Sequence, residues 1–417
     1  MSKSSEKNLL AINGGTKIKT TPYGTGKRFG EEEIQELREA LEQNTLFYWK
    51  GTKVKQFCEE FAQLYGAKRC VGVSSGTAGI HVAIGALGLT PGTEVITSPI
   101  TDMGTLIGLL YQGCIPVFAD LDPHTYNMDA SSVEKSITSH TKAILLVHLA
   151  GNPCDMDKMM AIAKKHKLYV IEDCAQSYMC EYKGKLAGSF GDFGCFSLND
   201  FKHISAGDAG MVITNDPELG QKAAWFADKN YYRDGALVGK SPKLLAPNYR
   251  MNELEGAVAL AQLKKLKGIC SRRTQLGDRL TAGIKDIPGI MPHEVTPGGK
   301  SSYWFYLMRI DEKKFGVSRE DFAKTLQAEG INNWVECYSN MPKYMHDLLI
   351  NRTIFPGSTY PLDINGRSYH YKPGMCPVAE EIIKTSIYIP ISEFYTDQDI
   401  DENIAAIKKV AHAYLNA

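Results

Sequence analysis

The sequence contains no apolar run that approaches the roughly 20 residues of a membrane-spanning helix. Its opening residues, MSKSSEKNLLAINGG, also lack the long apolar segment of a secretory signal. Both absences argue against a membrane partner, and we expect a cytoplasmic protein.

The chain also lacks an excess of charge of either sign. Lys plus Arg and Asp plus Glu number 47 each, so no overall field attracts nucleic acid or an acidic membrane. A small-molecule substrate suits this balance better, and we expect no nucleic-acid partner.

Paired metal-ligand motifs are missing as well. The ten cysteines include no Cys-x-x-Cys pair, and the ten histidines are dispersed. Several cysteines, such as Cys174 and Cys195, lie in strand-like runs, which favours buried reduced thiols over disulfides or zinc. We therefore predict no metal site.

What the sequence does contain is a regular alternation of helical and strand-like segments. Its 417 residues favour a large domain plus a smaller one. Apolar residues at helical spacing in EEEIQELREALEQ and KVKQFCEEFAQLYG precede the strand-like runs RCVGVSS, EVITSP, IPVFADL, KAILLVHLA and LYVIEDCA, which further helices separate. This order predicts an α/β fold with a mainly parallel, buried sheet.

The pattern changes towards the carboxyl end. The segment NELEGAVALAQLKKLKGICSRRTQLGDRLTAGIKD is typical of one long helix, and the candidates after it indicate a smaller α+β domain. We place an N-terminal arm at residues 1–30, the large domain at 31–265 and the small domain at 266–417. Residues 351–375, rich in Gly, Pro, Ser and Tyr, are predicted to form a long loop.

Four segments carry groups that could hold an anion or transfer a proton. Gly76 and Thr77, in the first segment, begin an apolar helix after a strand, where an anion is favoured. Asp173, in the second, ends the strand of VIEDCAQ, at the edge where ligands bind in α/β sheets. Each has an ordinary alternative, since a capped turn alone explains either segment equally well or better.

The other two segments are just as ambiguous alone. Ser197 ends the strand-like GCFSL, and Lys202 follows in a glycine-closed loop, where a lysine among apolar neighbours can act as a nucleophile. The alternative for Lys202 is a solvated loop lysine. His203 is more typical of a packing neighbour, although its position makes it a candidate for substrate contact. The segment Asn-Tyr-Arg-Met-Asn-Glu, at 248–253, is typical of a capped helix start.

The order of these segments is more specific than any one of them. From about Gly14-Gly15 to the final helix, the chain resembles the sugar aminotransferases of the DegT/StrS group, which are pyridoxal 5'-phosphate (PLP) enzymes of fold type I. The resemblance is strongest in SSGTAGIHVAIGALGL, VHLAGNPCDMDKM, IEDCAQ, GSFGDFGCFSLNDFKHISAGDAG and NYRMNELEGAVALAQL. It implies a large domain with a mainly parallel seven-stranded sheet flanked by helices, plus the smaller α+β C-terminal domain.

The resemblance also implies how the cofactor is held. Gly76, Thr77 and Ser197 would bind the phosphate of PLP. Asp173 would pair with the pyridine nitrogen, and Gln176 would lie near the ring hydroxyl.

The remaining implied roles concern catalysis and the substrates. Lys202 would form the Schiff base with PLP and then act as general base and acid. Asn248, towards the phosphate, and Arg250, towards the substrate, would reach the active site of a neighbouring subunit, which implies a homodimer with shared sites. An amino acid, glutamate in our interpretation, would donate the amino group, and a keto sugar, nucleotide-linked or free, would accept it.

Two departures from the family pattern lie near the predicted site. Asp102 stands where the family often has a ring-stacking aromatic residue, and we predict that it contacts the substrate. Capping of the following helix is an equal alternative. Ala209 replaces a glycine in the turn after Lys202, where alanine adopts a positive φ less readily.

Three other functions stay open. A PLP-dependent sugar dehydratase and an aminotransferase or synthase of a carbocyclic keto compound belong to the same broad enzyme class. A PLP-binding regulator belongs to another class, and no helix-turn-helix extension or basic patch is visible in its favour. Lys202 favours the aminotransferase, because family members that dehydrate sugars carry histidine in its place.

Overall fold

The computed structural model describes residues 9–336 and 338–416. Residues 1–8 of the predicted arm and Cys337 lie outside the described residues. The α-helices are α1 (Glu31–Glu42), α2 (Lys53–Tyr65), α3 (Gly76–Ala86), α4 (Met103–Tyr111), α5 (Ala130–Lys135), α6 (Met156–His166), α7 (Pro217–Ala227), α8 (Glu253–Ile284), α9 (Glu312–Phe315), α10 (Arg319–Ala328), α11 (Asp347–Ile350), α12 (Pro377–Thr385) and α13 (Asp397–Leu415).

The strands are β1 (Arg69–Val73), β2 (Glu94–Thr97), β3 (Ile115–Phe118), β4 (Thr141–Val147), β5 (Tyr169–Asp173), β6 (Glu181–Tyr182), β7 (Lys185–Leu186), β8 (Phe193–Ser197), β9 (Gly210–Thr214), β10 (Ile290–Pro292), β11 (Gly299–Lys300), β12 (Phe305–Ile310), β13 (Asp363–Ile364), β14 (Arg367–Ser368) and β15 (Ser386–Pro390). Short 3-10 helices occupy Ala11–Asn13, Leu149–Gly151, Gly235–Leu237, Tyr338–Asn340 and Lys343–Met345.

Seven strands form the central sheet in the order β1-β9-β8-β5-β4-β2-β3. The run from β8 to β3 is parallel throughout, whereas β9 lies antiparallel to both β1 and β8. Every residue of β2, β8 and β9 is buried, as expected for the inner strands of an α/β domain. The predicted mainly parallel seven-stranded sheet is confirmed.

Two helices that carry site residues begin at side-chain caps. Ser75 Oγ accepts a hydrogen bond from Ala78 N–H (3.0 Å) at the start of α3. Asp102 Oδ1 accepts one from Gly104 N–H (2.8 Å) at the start of α4. Because each helix directly follows a strand of the central sheet, the caps hold both helix N-termini near the carboxyl ends of the strands.

The long helix predicted after Asn252 is present as α8, and a capping box of Asn252 and Glu255 begins it. This helix continues through the domain boundary placed at 265/266, which stays a prediction. Beyond it, the antiparallel strands β10, β12 and β15 form a second sheet. They share a core with α10 and α13 that includes Phe322 and Val410. This smaller α+β unit agrees with the predicted fold class.

The predicted long loop at residues 351–375 contains one short hairpin of β13 and β14. It packs on an edge of the central sheet, where Tyr369 Oη donates to Glu94 Oε1 (2.7 Å) and Tyr371 Oη donates to the carbonyl of Pro116 (2.8 Å). Tyr371 is buried in the same core as the central strands. The segment therefore stabilises the large core although it lies far along the chain.

The cysteines within the described residues are all unpaired, and seven of these nine are buried. Buried thiols of this kind pack as small apolar groups. Among the described helices, none combines the length and the apolar character that crossing a membrane requires.

Candidate active site

A cavity of about 210 Å³ opens where β5 and β8 end. Seven residues predicted for the site line it together: Gly76, Thr77, Asp102, Asp173, Gln176, Ser197 and Lys202. Residues that were not predicted for the site also line it, among them Ser75, Thr105, Asn199 and Asp208. The fold thus brings the strand ends and two helix starts to one place.

One end of the cavity is suited to an anion. Gly76 and Thr77 begin α3, where the first backbone N–H groups have no partner within the helix and the helix dipole favours negative charge. Ser197 ends β8 and lies against the helix start, because a Cβ at position 76 would stand 2.7 Å from the Ser197 Cβ. Glycine at position 76 therefore allows the Ser197 hydroxyl to approach the N–H groups of α3.

Asp173 supplies a buried carboxylate. It is 6% exposed and accepts hydrogen bonds from Thr105 Oγ1 (2.8 Å) and Ala175 N–H (3.1 Å). Burial raises the pKa of Asp173, and these hydrogen bonds and the charge of Lys202 oppose that rise. A carboxylate in this state gains from pairing with a cationic N–H group brought by a ligand.

Lys202 supplies the amine. Its Nζ lies 3.8 Å from the centroid of the Trp304 ring. Burial lowers the pKa of Lys202 to about 8, although the charges of Asp173 and Asp102 act in the opposite direction. Such an amine loses its proton more readily than an ordinary lysine, so it can act as a nucleophile or a base.

The turn that carries Lys202 is held by the N-terminal arm. The Arg28 guanidinium donates to the carbonyl oxygens of Lys202 and His203. Ala209 closes the turn with a φ of 147°, in the region that favours glycine, and its carbonyl accepts from Leu198 N–H (2.8 Å). Alanine at position 209 thus adopts a conformation that glycine adopts more readily, and the hydrogen bond from Leu198 helps to hold it there.

Asp102 and Gln176 also line this cavity. Asp102 caps α4 and also lines the cavity, so capping and ligand contact are compatible. Gln176 Oε1 accepts from Ala150 N–H (3.0 Å) and from the Tyr338 hydroxyl (2.9 Å). With its oxygen engaged in this way, Gln176 offers a ligand its amide N–H groups.

His203 lies behind the turn, outside the residues that line the cavity. Its ring is fully buried, and Nε2 donates to the carbonyl of Ser302 (3.1 Å). Burial and the nearby charge of Arg273 hold the pKa of His203 well below its usual range. A neutral, enclosed ring favours packing, and the substrate contact predicted for His203 stays a prediction.

Arg250 and Asn248 also lie apart from this cavity. Arg250 lines a second cleft, of about 100 Å³, where the buried Asp228 accepts hydrogen bonds from Arg250 (2.8 Å), Arg233 (2.7 Å) and the Tyr48 hydroxyl (2.8 Å). Asn248 is exposed and pairs with Asp228 through the backbone. Within one chain, neither Asn248 nor Arg250 lines the Lys202 cavity.

The donor set of the cavity matches the chemistry of PLP. A phosphate dianion needs N–H and hydroxyl donors, which the start of α3 and Ser197 provide. A protonated ring nitrogen needs a buried carboxylate, which is Asp173, and the aldehyde needs an amine, which is Lys202. The residues present therefore fit the cofactor that the sequence resemblance implies.

Comparison with known proteins leads to the same family. The family model of the DegT/DnrJ/EryC1/StrS aminotransferases matches residues 27–408. The chain is 34% identical to the spore coat polysaccharide biosynthesis protein SpsC of Bacillus subtilis, over 91% of this chain and 95% of that protein. It is 31% identical to the L-glutamine:2-deoxy-scyllo-inosose aminotransferase of Micromonospora echinospora, over 96% of this chain and 97% of that protein.

A solved structure extends the likeness to the cofactor. The E. coli GDP-4-keto-6-deoxy-D-mannose-3-dehydratase with bound hydrated PLP has a TM-score of 0.79 and 25% sequence identity, with 93% of this chain and 99% of that chain covered. The chain therefore belongs to the DegT/DnrJ/EryC1/StrS aminotransferase family, and it is a PLP-dependent aminotransferase of fold type I.

Proposed function

We propose that the enzyme transfers an amino group from an amino acid, glutamate first among candidates, to a keto sugar, free or nucleotide-linked, in surface-glycan or secondary-metabolite biosynthesis. The observation that carries the proposal is the Lys202 amine, whose pKa is lowered to about 8, in one cavity with Asp173 and the start of α3. The relatives support the acceptor class, since one is named for polysaccharide biosynthesis and another for a GDP-linked keto sugar.

In this proposal the cavity residues divide cofactor binding between them. The N–H groups of Gly76 and Thr77 and the hydroxyl of Ser197 hold the phosphate. Asp173 keeps the ring nitrogen protonated, and the Gln176 amide donates to the ring hydroxyl. When bound, PLP withdraws electrons from the substrate carbon that bears the amino group.

Lys202 moves the proton that transamination requires. With PLP bound, Lys202 Nζ would hold the cofactor covalently in the resting enzyme. As general base and acid, the free Nζ would move the proton between the substrate carbon and the cofactor in both half-reactions. A pKa of about 8 makes a neutral amine available near neutral pH. Asp102, which lines the cavity, is suited to bind acceptor hydroxyls.

The second cleft supports a homodimer with shared active sites. One buried carboxylate, Asp228, lies between the guanidinium groups of Arg233 and Arg250. Two positive charges on one negative charge leave a net positive charge, which suits an anionic ligand. Since Arg250 does not line the Lys202 cavity of its own chain, the ligand it serves would belong to the neighbouring subunit.

Mixing two inactive variants tests the shared site. Lys202→Ala and Arg250→Ala, combined under conditions that exchange subunits, should recover roughly one quarter of wild-type activity, because half of the dimers would be hybrids with one intact site. Lys202→Ala mixed with Asp173→Asn is the matched control. Lys202 and Asp173 belong to the same cavity of one chain, so each site of a hybrid dimer keeps one of the two changes and no activity should be recovered. No recovery in the first mixture would contradict a role for Arg250 across the dimer.

The competing functions differ from this proposal at Lys202 and at the acceptor. Family members that dehydrate sugars carry histidine at this position, so Lys202 favours amino transfer. A carbocyclic keto compound remains the alternative acceptor, in line with the name of the Micromonospora relative. A PLP-binding regulator would not need the lowered proton affinity of Lys202.

The cytoplasmic location belongs to this proposal and is supported by the free buried thiols.

Half-reactions on the purified, PLP-loaded protein test the function. Glutamate should convert the bound cofactor to its amino form, which absorbance detects. A nucleotide-linked 4-keto-6-deoxyhexose should then restore the starting spectrum and yield an aminated sugar, which mass spectrometry detects. The cyclitol 2-deoxy-scyllo-inosose serves as the comparison acceptor. Loss of a sugar hydroxyl without gain of nitrogen would identify a dehydratase, and no response to any amino donor would favour the regulator.

Borohydride reduction tests the residue that carries the chemistry. Reduction of the PLP-loaded protein followed by peptide mapping should place the cofactor on Lys202. Attachment to another lysine would overturn the assignment of Lys202, whatever the outcome of the half-reactions.

A further inference from the structure

Trp304 contacts the turn of Lys202 at two points. The centroid of its ring lies 3.8 Å from Lys202 Nζ. Its Nε1–H donates to the carbonyl oxygen of Phe201, the residue directly before the lysine, at 2.7 Å. The indole ring is thus tied to the backbone of the same turn whose amine it covers.

The position of Trp304 is set by elements outside that turn. Its N–H donates to the carbonyl of Ala150 (2.9 Å), and its own carbonyl accepts from Arg273 (3.0 Å). Arg273 belongs to α8 and forms a buried ion pair with Glu393 (2.7 Å). The backbone of Trp304, directly before β12, is therefore anchored through both its N–H and its carbonyl.

Charged groups surround Lys202 at longer range. The titratable and charged side chains on or around the turn of Lys202 include Asp102, Asp173, Asp200, His203, Asp208, Arg28 and Arg273. The carboxylates of Asp102 and Asp173 raise its proton affinity, but within residues 9–336 and 338–416 no carboxylate forms a salt bridge with Nζ. The group in direct contact with the amine is an aromatic face, which attracts a cation without carrying a formal charge.

We propose that Trp304 is a positioning residue that holds the Lys202 amine in the cavity whenever this amine is not bonded to the cofactor. The inference deepens the proposed function and rests on the role of Lys202 stated there. A carboxylate at the place of the ring would bind the ammonium more strongly and keep it protonated. The indole face holds the amine in place and still permits loss of its proton.

The test measures the proton affinity of Lys202 in the cofactor-free protein. The pH dependence of Lys202 acylation by an amine reagent, quantified by peptide mass mapping, gives the midpoint of its titration. Trp304→Leu removes both the aromatic face and the hydrogen bond, whereas Trp304→Phe keeps the face. We expect the midpoint to fall by about 0.5 to 1 pH unit in Trp304→Leu and to stay closer to the wild-type value in Trp304→Phe.

A control separates positioning from a general structural effect. Trp334, in the same part of the chain, stacks on Tyr388 with ring centroids 4.4 Å apart, and Trp334→Leu should leave the Lys202 midpoint unchanged. A merely structural role of Trp304 would lower the thermal stability of both Trp304 variants without separating their midpoints. Equal midpoints in the wild type and Trp304→Leu would overturn the proposal.

A second measurement needs no substitution and covers the case in which Trp304→Leu does not fold. The chain contains four tryptophans, and fluorinated tryptophans can replace them all during biosynthesis. Added fluorine weakens the negative face of the ring at nearly constant shape, so the Lys202 midpoint should fall with each fluorine. A Lys202 titration midpoint that does not change with the number of fluorine atoms would overturn the proposal. These measurements use protein without PLP, so they stand apart from the borohydride experiment, whose failure would contradict the proposed function instead.

Discussion

Glu172 and Asp173 are consecutive carboxylates of β5, yet their surroundings differ completely. Side chains alternate along a strand, so the two point to opposite faces of the central sheet. The oxygens of the fully buried Glu172 accept hydrogen bonds from three backbone N–H groups of the loop at residues 188–191, at 2.7 to 2.8 Å. They also contact His148 Nε2 at 3.0 Å. Glu172 is therefore satisfied by the protein itself.

Asp173 receives only two protein hydrogen bonds within the described part of the chain and faces the cavity. A carboxylate can accept about four hydrogen bonds, so Asp173 keeps acceptor capacity for a ligand, and burial without a full set of donors raises its pKa. The comparison shows that a carboxylate satisfied by its own fold stabilises that fold, whereas one left partly unsatisfied at a cavity is available for binding or catalysis.

Glu172 also belongs to a cluster of side chains whose residue types could ligate a metal ion. Ligand atoms of His148, Glu172 and Cys174 lie within 4.8 Å of one another. However, His148 Nδ1 accepts from Cys154 N–H (3.0 Å), so Nε2 carries the proton that is donated to Glu172. Both ring nitrogens are engaged within the protein, and we interpret the cluster as a hydrogen-bond network of the core.

The largest effect is expected on the cavity side, at Asp173. Asp173→Asn should lower kcat/KM by about a hundredfold or more, because a neutral amide does not keep the cofactor ring nitrogen protonated. The thermal unfolding temperature should change little, since the change removes a buried charge and preserves shape. Steady-state kinetics and calorimetry measure the two quantities. A rate within a factor of about two of wild type would speak against the role of Asp173.

Glu172→Gln should lower stability and leave catalytic activity largely unchanged, in contrast to Asp173→Asn. The amide NH2 of glutamine would face backbone N–H donors that need an acceptor, so the free energy of unfolding should fall by about 2–4 kcal/mol. Urea denaturation measures this loss, and the folded protein should keep most of its kcat. If Glu172→Gln instead lost activity at unchanged stability, the division between the two carboxylates would be wrong.

The stability of the cofactor-free protein should depend on pH through Lys202. Its folded pKa of about 8 lies below its unfolded value, so between about pH 8 and pH 10.4 the unfolded chain binds more protons than the folded chain and stability rises with pH. Lys202→Met should therefore stabilise the protein at pH 7, and this advantage should shrink as the pH rises through the window. Urea denaturation at fixed pH values tests this, and the exposed Lys27→Met controls for the loss of one charge. A difference that stays constant across this pH window would contradict the lowered pKa of Lys202.

The smallest effect is expected at Asp102, which combines both kinds of role. Asp102→Ala should cost about 1 kcal/mol of unfolding free energy through the lost cap of α4. Conversion of bound PLP by the amino donor should be nearly unchanged, whereas amination of the keto acceptor should be impaired. Equal impairment of both half-reactions would assign Asp102 to capping alone.

Several site residues could be predicted because their signals are local. Asp173 ends a run of apolar strand residues, and Gly76 and Ser197 stand at strand-to-helix and strand-to-loop junctions. Thr105 could not be predicted. It is a hydroxyl residue within the apolar helix MGTLIGLL, and nothing in the neighbouring sequence indicates that it contacts Asp173. His203 shares the local context of Lys202, but its side chain is enclosed by the core, which only packing determines.

The carboxyl-terminal third was predicted less completely. The segment PVAEEIIKTSIYIP was not singled out, although it forms α12 and β15. Here a helix passes directly into a strand without a glycine or a turn between them, so the usual boundary signals are missing. The assignment of Tyr371 to the core of the central sheet also escaped prediction, since it depends on a contact with Pro116 far away in the sequence.

The sequence by itself determined the alternation of strands and helices and the family to which the chain belongs. These features depend on side-chain periodicity and on backbone preferences of neighbouring residues, which are local. Only the tertiary structure decided that Thr105 meets Asp173, that Trp304 covers Lys202 and that Arg250 lies outside the Lys202 cavity. Such contacts join distant segments, and they follow from strand order and helix packing, which local periodicity does not encode.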